Sequence, residues 1–478
     1  MAHDGKEHRV LRNGVVVFRG QEVIHVGFAY HQPVDRIVDA ADSLVLPGFV
    51  NMHLHAGHAA QGRVISDHGR PEFFGAGYLN YTSPRREGAS ANQRHADPDL
   101  AARITLADLA RFGTTTMVEI GAPRAVQEAI ASNAADIGLR CYLGPGYRTA
   151  ETYTDSDGVL RYDWDEERGQ QGLEDAIEFI EKFDGAQGGR IKGTLMPMQV
   201  DTCSEALLRR TAQVSEELGA PRQIHTAQNL LEFHEMLRRS AMTPVQFLEH
   251  CGFLGERASL GHAILTDEHP WTHYAGRDLH LISDSGTSTT HSPLAMMRRG
   301  IPMRSFSRYY RSGINICIGT DTYPRDIVSE MRWASLNSKV IDGDVTSGTA
   351  TEVFNAVTVN GAKALGRDDI GRLAVGSKAD IVVVKPDPLR WGPIYDPIRS
   401  LVDCGTGEDV EHVFVDGRQV VAGGAVDGVN ESELVRECQR EADAWYEDFV
   451  QHDWKQRRID EAFPKAFSEA SPGEFPDA

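Results

Sequence analysis

The spacing of apolar and polar positions changes twice along the chain. Over residues 8–46, short alternating runs (HRVLRNGVVVFRG, EVIHVGFAY, DRIVDAADSLVLPG) predict half-buried antiparallel strands. The same texture returns in GSKADIVVVKPDP (376–388) and VEHVFVDGRQVVAGG (410–424), where "VDG" between HVFV and RQVV signals a hairpin. Two such segments bracketing the middle predict one small sheet domain made from both chain ends.

The middle alternates short apolar runs with helical stretches. Eight strands are expected: LPGFVNM (46–52), TTTMVEI (114–120), LRCYLG (139–144), RIKGTLM (190–196), RQIHT (222–226), ASLGHA (258–263), LHLIS (279–283) and INICIGT (314–320). Amphipathic helices such as DPDLAARITLADLARFG and SEALLRRTAQVSEELG separate most of them, and each of these two stops at a glycine. Eight β–α units in series predict a parallel (β/α)8 TIM barrel, so the fold class is α/β, a barrel carrying a small β-sandwich. The expected divisions are 1–46 and 371–427 for the two parts of the sandwich, 47–370 for the barrel and 428–478 for a helical tail. On that tail Trp445, Tyr446 and Trp454 are expected to pack it onto the barrel, with a subunit contact as the alternative.

Composition narrows the partners. The 478 residues are 41% hydrophobic and 25% charged, as in a soluble globular protein. The formal net charge of −20 argues against nucleic acid or an anionic membrane as the main partner, favours solubility and says little about the substrate, which the site chemistry below makes a small molecule. Six scattered cysteines without a CxxC pair fit free thiols in a reducing compartment. The N-terminal stretch has no signal-like apolar region and no run is long enough for a membrane span, so a cytoplasmic location is expected.

In a TIM barrel, chemistry gathers at the C-terminal ends of the strands. The first strand ends in His53 and His55, which share one face because they are two residues apart. The fifth ends in His225, the sixth in His262 and the eighth in Asp321. Any one of these alone reads as a structural residue; five metal-competent residues at strand ends point to a site. Imidazoles with one carboxylate suit a borderline divalent ion, Zn²⁺ first, with Fe²⁺, Mn²⁺ or Co²⁺ compatible. A long loop follows His55. Its Phe73, Phe74, Tyr78 and Tyr81 are expected either to wall a pocket for an uncharged, partly apolar substrate or to anchor the loop.

Several stretches together resemble the amidohydrolase superfamily, in its mononuclear branch of triazine hydrolases and deaminases. These are LPGFVNMHLH, TATEVFNAVTVNGAKALG (349–366), GRLAVGSKADIVVV (371–384) and VFVDGRQVV, and the resemblance covers nearly the whole chain. It implies that His53, His55, His225 and Asp321 hold one metal ion. It implies that His262 bonds the reacting water or substrate oxygen, and that Asp321 moves the proton. His291, in THSPLAM, falls where the family often has a His–Cys/Asn–Pro stretch, as a substrate contact or a pocket wall. Lys192 lies near the start of the fourth strand, which speaks against a second metal bridged by a carboxylated lysine.

One departure shapes the substrate expectation. Deaminases of this branch carry HxxE, whereas this chain has His225-Thr-Ala-Gln228. Gln228 exchanges hydrogen bonds but carries no proton, so it is expected to orient the substrate. The resulting expectation is hydrolysis of a non-peptide C–N bond, or a carbamate-type C–S bond, in a phenylurea- or thiocarbamate-like molecule. The alternatives are an aminohydrolase or dechlorinase acting on an N-heteroaromatic ring, and a non-catalytic scaffold. A homo-oligomer is the family habit.

Overall fold

The computed structural model describes residues 1–58, 63, 64, 67, 97–155, 157, 159–453, 455–471 and 474. Eight parallel strands form its centre: β1 (Phe49–Leu54), β2 (Thr114–Glu119), β3 (Arg140–Leu143), β4 (Ile191–Gly193), β5 (Arg222–Thr226), β6 (Ala258–His262), β7 (Ser288–His291) and β8 (Asn315–Ile318). β1 to β4 are hydrogen-bonded side by side, as are β5 to β8. Parallel bridges Leu195–Arg222 and Leu54–Asp321 join the two halves into a closed barrel. Strands buried on both faces need no alternation, which is why β2 reads TTTMVE and is buried throughout.

The seventh strand corrects the sequence expectation. LHLIS belongs to the helix Asp278–Asp284, where Leu279 and Ile282, three apart, face inward. The strand is Ser288-Thr-Thr-His291, wholly buried yet without one aliphatic residue. Its threonines are β-branched and suit a strand, but an apolar count overlooks them. The correction brings His291 to a strand end.

The helices around the barrel begin and end on local signals. Asp97 caps Pro98–Arg111 through the Asp99 amide, and Ser204 caps Glu205–Leu218 through the Leu207 amide. Gly113 and Gly219 follow these two helices with φ of 89° and 64°, left-handed turns that cost glycine little.

Both chain ends meet below the barrel. Leu44–Pro47 pairs antiparallel with Ile381–Val384, which continues through Val410–Val415 and Arg418–Ala422 to Ala425–Val426. The hairpin turns on Asp416 and Gly417, with φ of 48° and 75°, the signs of a two-residue I′ turn. A second layer, the hairpin Val15–Arg19/Glu22–Gly27, packs Phe18 against Phe414 with ring centroids 5.6 Å apart. Arg140, at the start of β3, is buried against Asp380 and Asp416 and ties this sheet to the barrel. The tail helix Glu431–His452 lies on Pro98–Arg111 through Leu434, Cys438 and Ala442. Trp445 is buried among Phe449, Ala462 and Phe463, with Tyr446 and Val64 against them; Trp454 lies outside the described residues. All six cysteines are free. No helix among the described residues is long and apolar enough to cross a membrane.

Candidate metal centre

His53, His55, His225, His262 and Asp321 converge at one mouth of the barrel. Ligand atoms of His53, His225 and His262 lie within 4.8 Å of one another, as do those of His53, His55 and Asp321. Two glycines make room for this. A Cβ at residue 261, on β6, would stand 2.8 Å from the His53 ring, and one at residue 319, after β8, would stand 2.6 Å from the His53 carbonyl. Two of the five residues stand in the left-handed region, His262 at the end of β6 with φ 72° and Asp321 just past β8 with φ 60°. Such conformations cost a non-glycine residue about 1–3 kcal/mol and collect at functional sites. The backbone of Asp321 is clamped to β1 on both sides, its amide donating to the His53 carbonyl and its carbonyl accepting from the His55 amide.

The hydrogen bonds behind the histidines settle where their protons sit. The Gln223 amide nitrogen donates to the Met52 carbonyl at 2.8 Å, so its Oε1 accepts from His53 Nδ1, also at 2.8 Å. His53 Nε2 is therefore a bare lone pair, buried without a partner among the described residues. His225 Nδ1 donates to the Met198 carbonyl, so in the neutral ring its Nε2 carries no proton. That atom faces His55 Nε2 at 3.1 Å, across parallel rings. His55 Nε2 lies 3.6 Å from Asp321 Oδ1. Two ligand nitrogens on a tetrahedral zinc stand about 3.3 Å apart. Ring nitrogens and a carboxylate at such spacing, with His53 and His225 oriented from behind, fit a divalent cation.

Burial holds the ring of His53 below the usual histidine range, against the charge of Asp321 and the Gln223 bond. Burial, then the neighbouring imidazoles and Arg299, hold His262 well below it. His291 is pushed down to about 3 by burial, and neither of its ring nitrogens has a partner among the described residues. Both His262 and His291 are thus neutral at pH 7. The structure seats His291 near His262, where its proton would add charge to a crowded site.

Gln228 lies three residues beyond His225 and donates through Nε2 to Gln199 Oε1 at 2.5 Å. Glu232, on the helix Leu230–Ser240, turns back to accept the backbone amides of Ala227 and Gln228 at 2.6 and 2.9 Å. It supports the Gln228 loop. Lys192 points away from the mouth to Asp184, 3.2 Å away at the surface. Phe73, Phe74, Tyr78 and Tyr81 lie outside the described residues.

Three residues near the mouth escape a reading by strand-end histidines. Glu119 ends β2, accepts the Ala56 and Ala122 amides, and is pushed up by burial to about 7. The charge in TTTMVEI was its only signal. Gln199 and Asp201 sit after β4, where nothing in MPMQVDT marks them.

The chain is 28% identical over 438 residues to a 5-methylthioadenosine/S-adenosylhomocysteine deaminase of Pyrococcus abyssi, covering 90% of this chain and 94% of the relative. It is 26% identical over 437 residues to a 5'-deoxyadenosine deaminase of Methanosarcina acetivorans, covering 91% and 94%. Among solved structures it resembles a zinc-bound adenosine deaminase from Xanthomonas campestris, with TM-score 0.74, 19% identity, and 92% and 95% of the two chains covered. A zinc complex of atrazine chlorohydrolase TrzN from Arthrobacter aurescens superposes with TM-score 0.75, 21% identity, and 92% and 97% covered. These likenesses share the fold, and the family model described as Amidohydrolase family matches residues 44–420. With most of its length inside that match, this chain belongs to the amidohydrolase family.

Proposed function

We propose that the chain is a mononuclear, metal-dependent hydrolase that displaces an exocyclic group, an amine first, from an N-heteroaromatic ring. The observation that carries the hydrolytic reading is the convergence of the ring nitrogens of His53, His55 and His225 with the Asp321 carboxylate. Ring chemistry is favoured over urea or carbamate cleavage because the curated relatives matched over nine-tenths of the chain are adenosine-type deaminases. Gln228, where a proton-carrying carboxylate is expected, is the feature that favours the carbonyl-cleaving alternative.

His53, His55, His225 and Asp321 would hold the ion, zinc by its donor set. Such an ion supplies Lewis-acid activation of water at neutral pH. Asp321 takes the proton of the attacking water and returns it to the leaving nitrogen. Neutral His262 offers an N–H to the charge that grows on the attacked group. Gln228 orients the ring.

Two measurements test this. Elemental analysis should give one divalent ion per chain, and two tightly held ions would overturn the mononuclear reading. A panel of aminopurines, aminopyrimidines and aminotriazines should release ammonia. Release of amine or thiol from phenylureas or thiocarbamates, with no ring turned over, would select the alternative.

A further inference from the structure

The parallel bridge between β1 and the loop after β8 stands at Leu54 and Asp321, and the His55 amide donates to the Asp321 carbonyl at 2.8 Å. The peptide that follows, between His55 and Ala56, is held by side chains. Arg325 Nη2 donates to the His55 carbonyl at 3.1 Å, and Glu119 Oε1 accepts the Ala56 amide at 3.2 Å. A cation on the carbonyl and a carboxylate on the amide satisfy both ends of this peptide.

Arg325 lies four residues past Asp321, and its side chain is 1% exposed. Its fork spans two acceptors. While Nη2 bonds the His55 carbonyl, Nη1 donates at 3.2 Å to Oδ2 of Asp108, on the helix Pro98–Arg111. A lysine would carry the same charge at one point, without the fork. The same Oδ2 accepts Arg63 Nη2 at 3.1 Å, and the Arg63 guanidinium lies 4.0 Å over the Tyr323 ring. Arg298 donates to the Tyr323 carbonyl, a further hold on the loop that carries Asp321.

Two guanidinium groups thus share one carboxylate oxygen. Without that carboxylate two like charges would meet, and the buried guanidinium would be driven off the His55 carbonyl. His55 and Asp321 are candidate ligands from far apart in the chain, and Arg325 fastens the backbone of the first to the loop of the second.

We propose that Arg325 is a positioning residue that sets His55 against Asp321 for the ion, and that Asp108, on an outer helix, governs ion affinity through it. The inference rests on the one-ion reading of the mouth. It concerns binding, so it is readable without turnover.

The test is the zinc affinity of the full chain, by competition with a chromogenic chelator well below Tm. The visible bands of the cobalt-substituted protein report ligand geometry alongside it. Zinc affinity should fall about tenfold in Arg325→Met, the low end for losing an outer support of a ligand, and about threefold in Asp108→Asn. Both variants should shift the cobalt bands. Because Asp108 acts through Arg325, the double variant should bind no more weakly than Arg325→Met. Arg140→Ala, which disturbs the buried cluster between barrel and sheet, is the control. It should lower stability and leave affinity and bands at their wild-type values, whereas a merely structural role for Arg325 would make all the variants loosen zinc alike. Asp108 is partly exposed, so Asp108→Asn carries the test if Arg325→Met does not fold. Affinity and bands unmoved in Asp108→Asn, additive losses in the double variant, or an equal loss in Arg140→Ala would overturn the proposal. Wild type that takes up no zinc would overturn the ion reading and the proposal with it, while zinc bound equally by every variant would overturn the proposal alone.

Discussion

At the scale of single residues, ligand, orienter and spacer should separate experimentally. His53→Ala should lose the ion and activity together. His262→Ala should keep the ion and lose about 10²–10³ in kcat, the cost of removing one donor aimed at developing charge. Equal ion loss in both, by elemental analysis, would make His262 a ligand. Gly261→Ala pushes a methyl into the His53 ring. Metal affinity should fall at least tenfold while circular dichroism stays native, since the ring and not the strand gives way. These residues were legible to different degrees. Histidines and Asp321 declare themselves by chemistry at strand ends. Gly261 does not, because a missing side chain has meaning only once its neighbour's position is known. Gln199 and Asp201 are hidden for a related reason: their bonds, to Gln228 and Tyr162, join residues far apart in sequence.

Elements show where pattern reading succeeds and where it stops. Seven of the eight barrel strands stand at the apolar runs that predict them, and both helix-ending glycines are left-handed as expected. The eighth, Ser288–His291, is polar because it lines the crowded upper barrel, where threonine hydroxyls find partners such as Ser259 Oγ on Thr290 Oγ1. The strand is buried through polar side chains, so hydrophobicity carries no signal. The Arg140–Asp380–Asp416 cluster couples two elements that pattern reading treats apart. Arg140→Ala leaves buried Asp380 without its cation and Asp416 with only Lys378, 3.7 Å away, and should cost about 3–5 kcal/mol. A urea midpoint within experimental error of wild type would show the cluster to be dispensable.

For the molecule as a whole, buried acids set the response to pH. Glu119 and Asp278 both titrate near 7, raised by burial from ordinary values of 4.5 and 3.8. The folded state therefore binds more protons than the unfolded one between those values. Stability contributed by the neutral forms is complete below about pH 4 and is lost as pH rises through 7. Each pKa unit is worth about 1.4 kcal/mol. Histidines held below their usual range, His53, His262 and His291 among them, oppose this up to about pH 6.5, so in chelated protein Tm should fall from pH 7 to 8, and Glu119→Gln should flatten part of that slope. A Tm rising over this range would contradict the burial argument. Restoring zinc should raise Tm at every pH by binding the folded state alone.

The pairing of Leu46 with Val382 spans 336 residues. A ribosome adding about 5–20 residues per second needs roughly 17–70 s to make the second partner after the first. Through that interval the strand Leu44–Pro47 has no edge to join, and β1, next along the chain, already carries His53. The nascent barrel thus holds two of its three candidate metal-binding histidines ready long before the sheet that braces them exists. An ion arriving early would meet His53 and His55 on a chain still short of His225 and Asp321, so durable loading belongs to the end of synthesis.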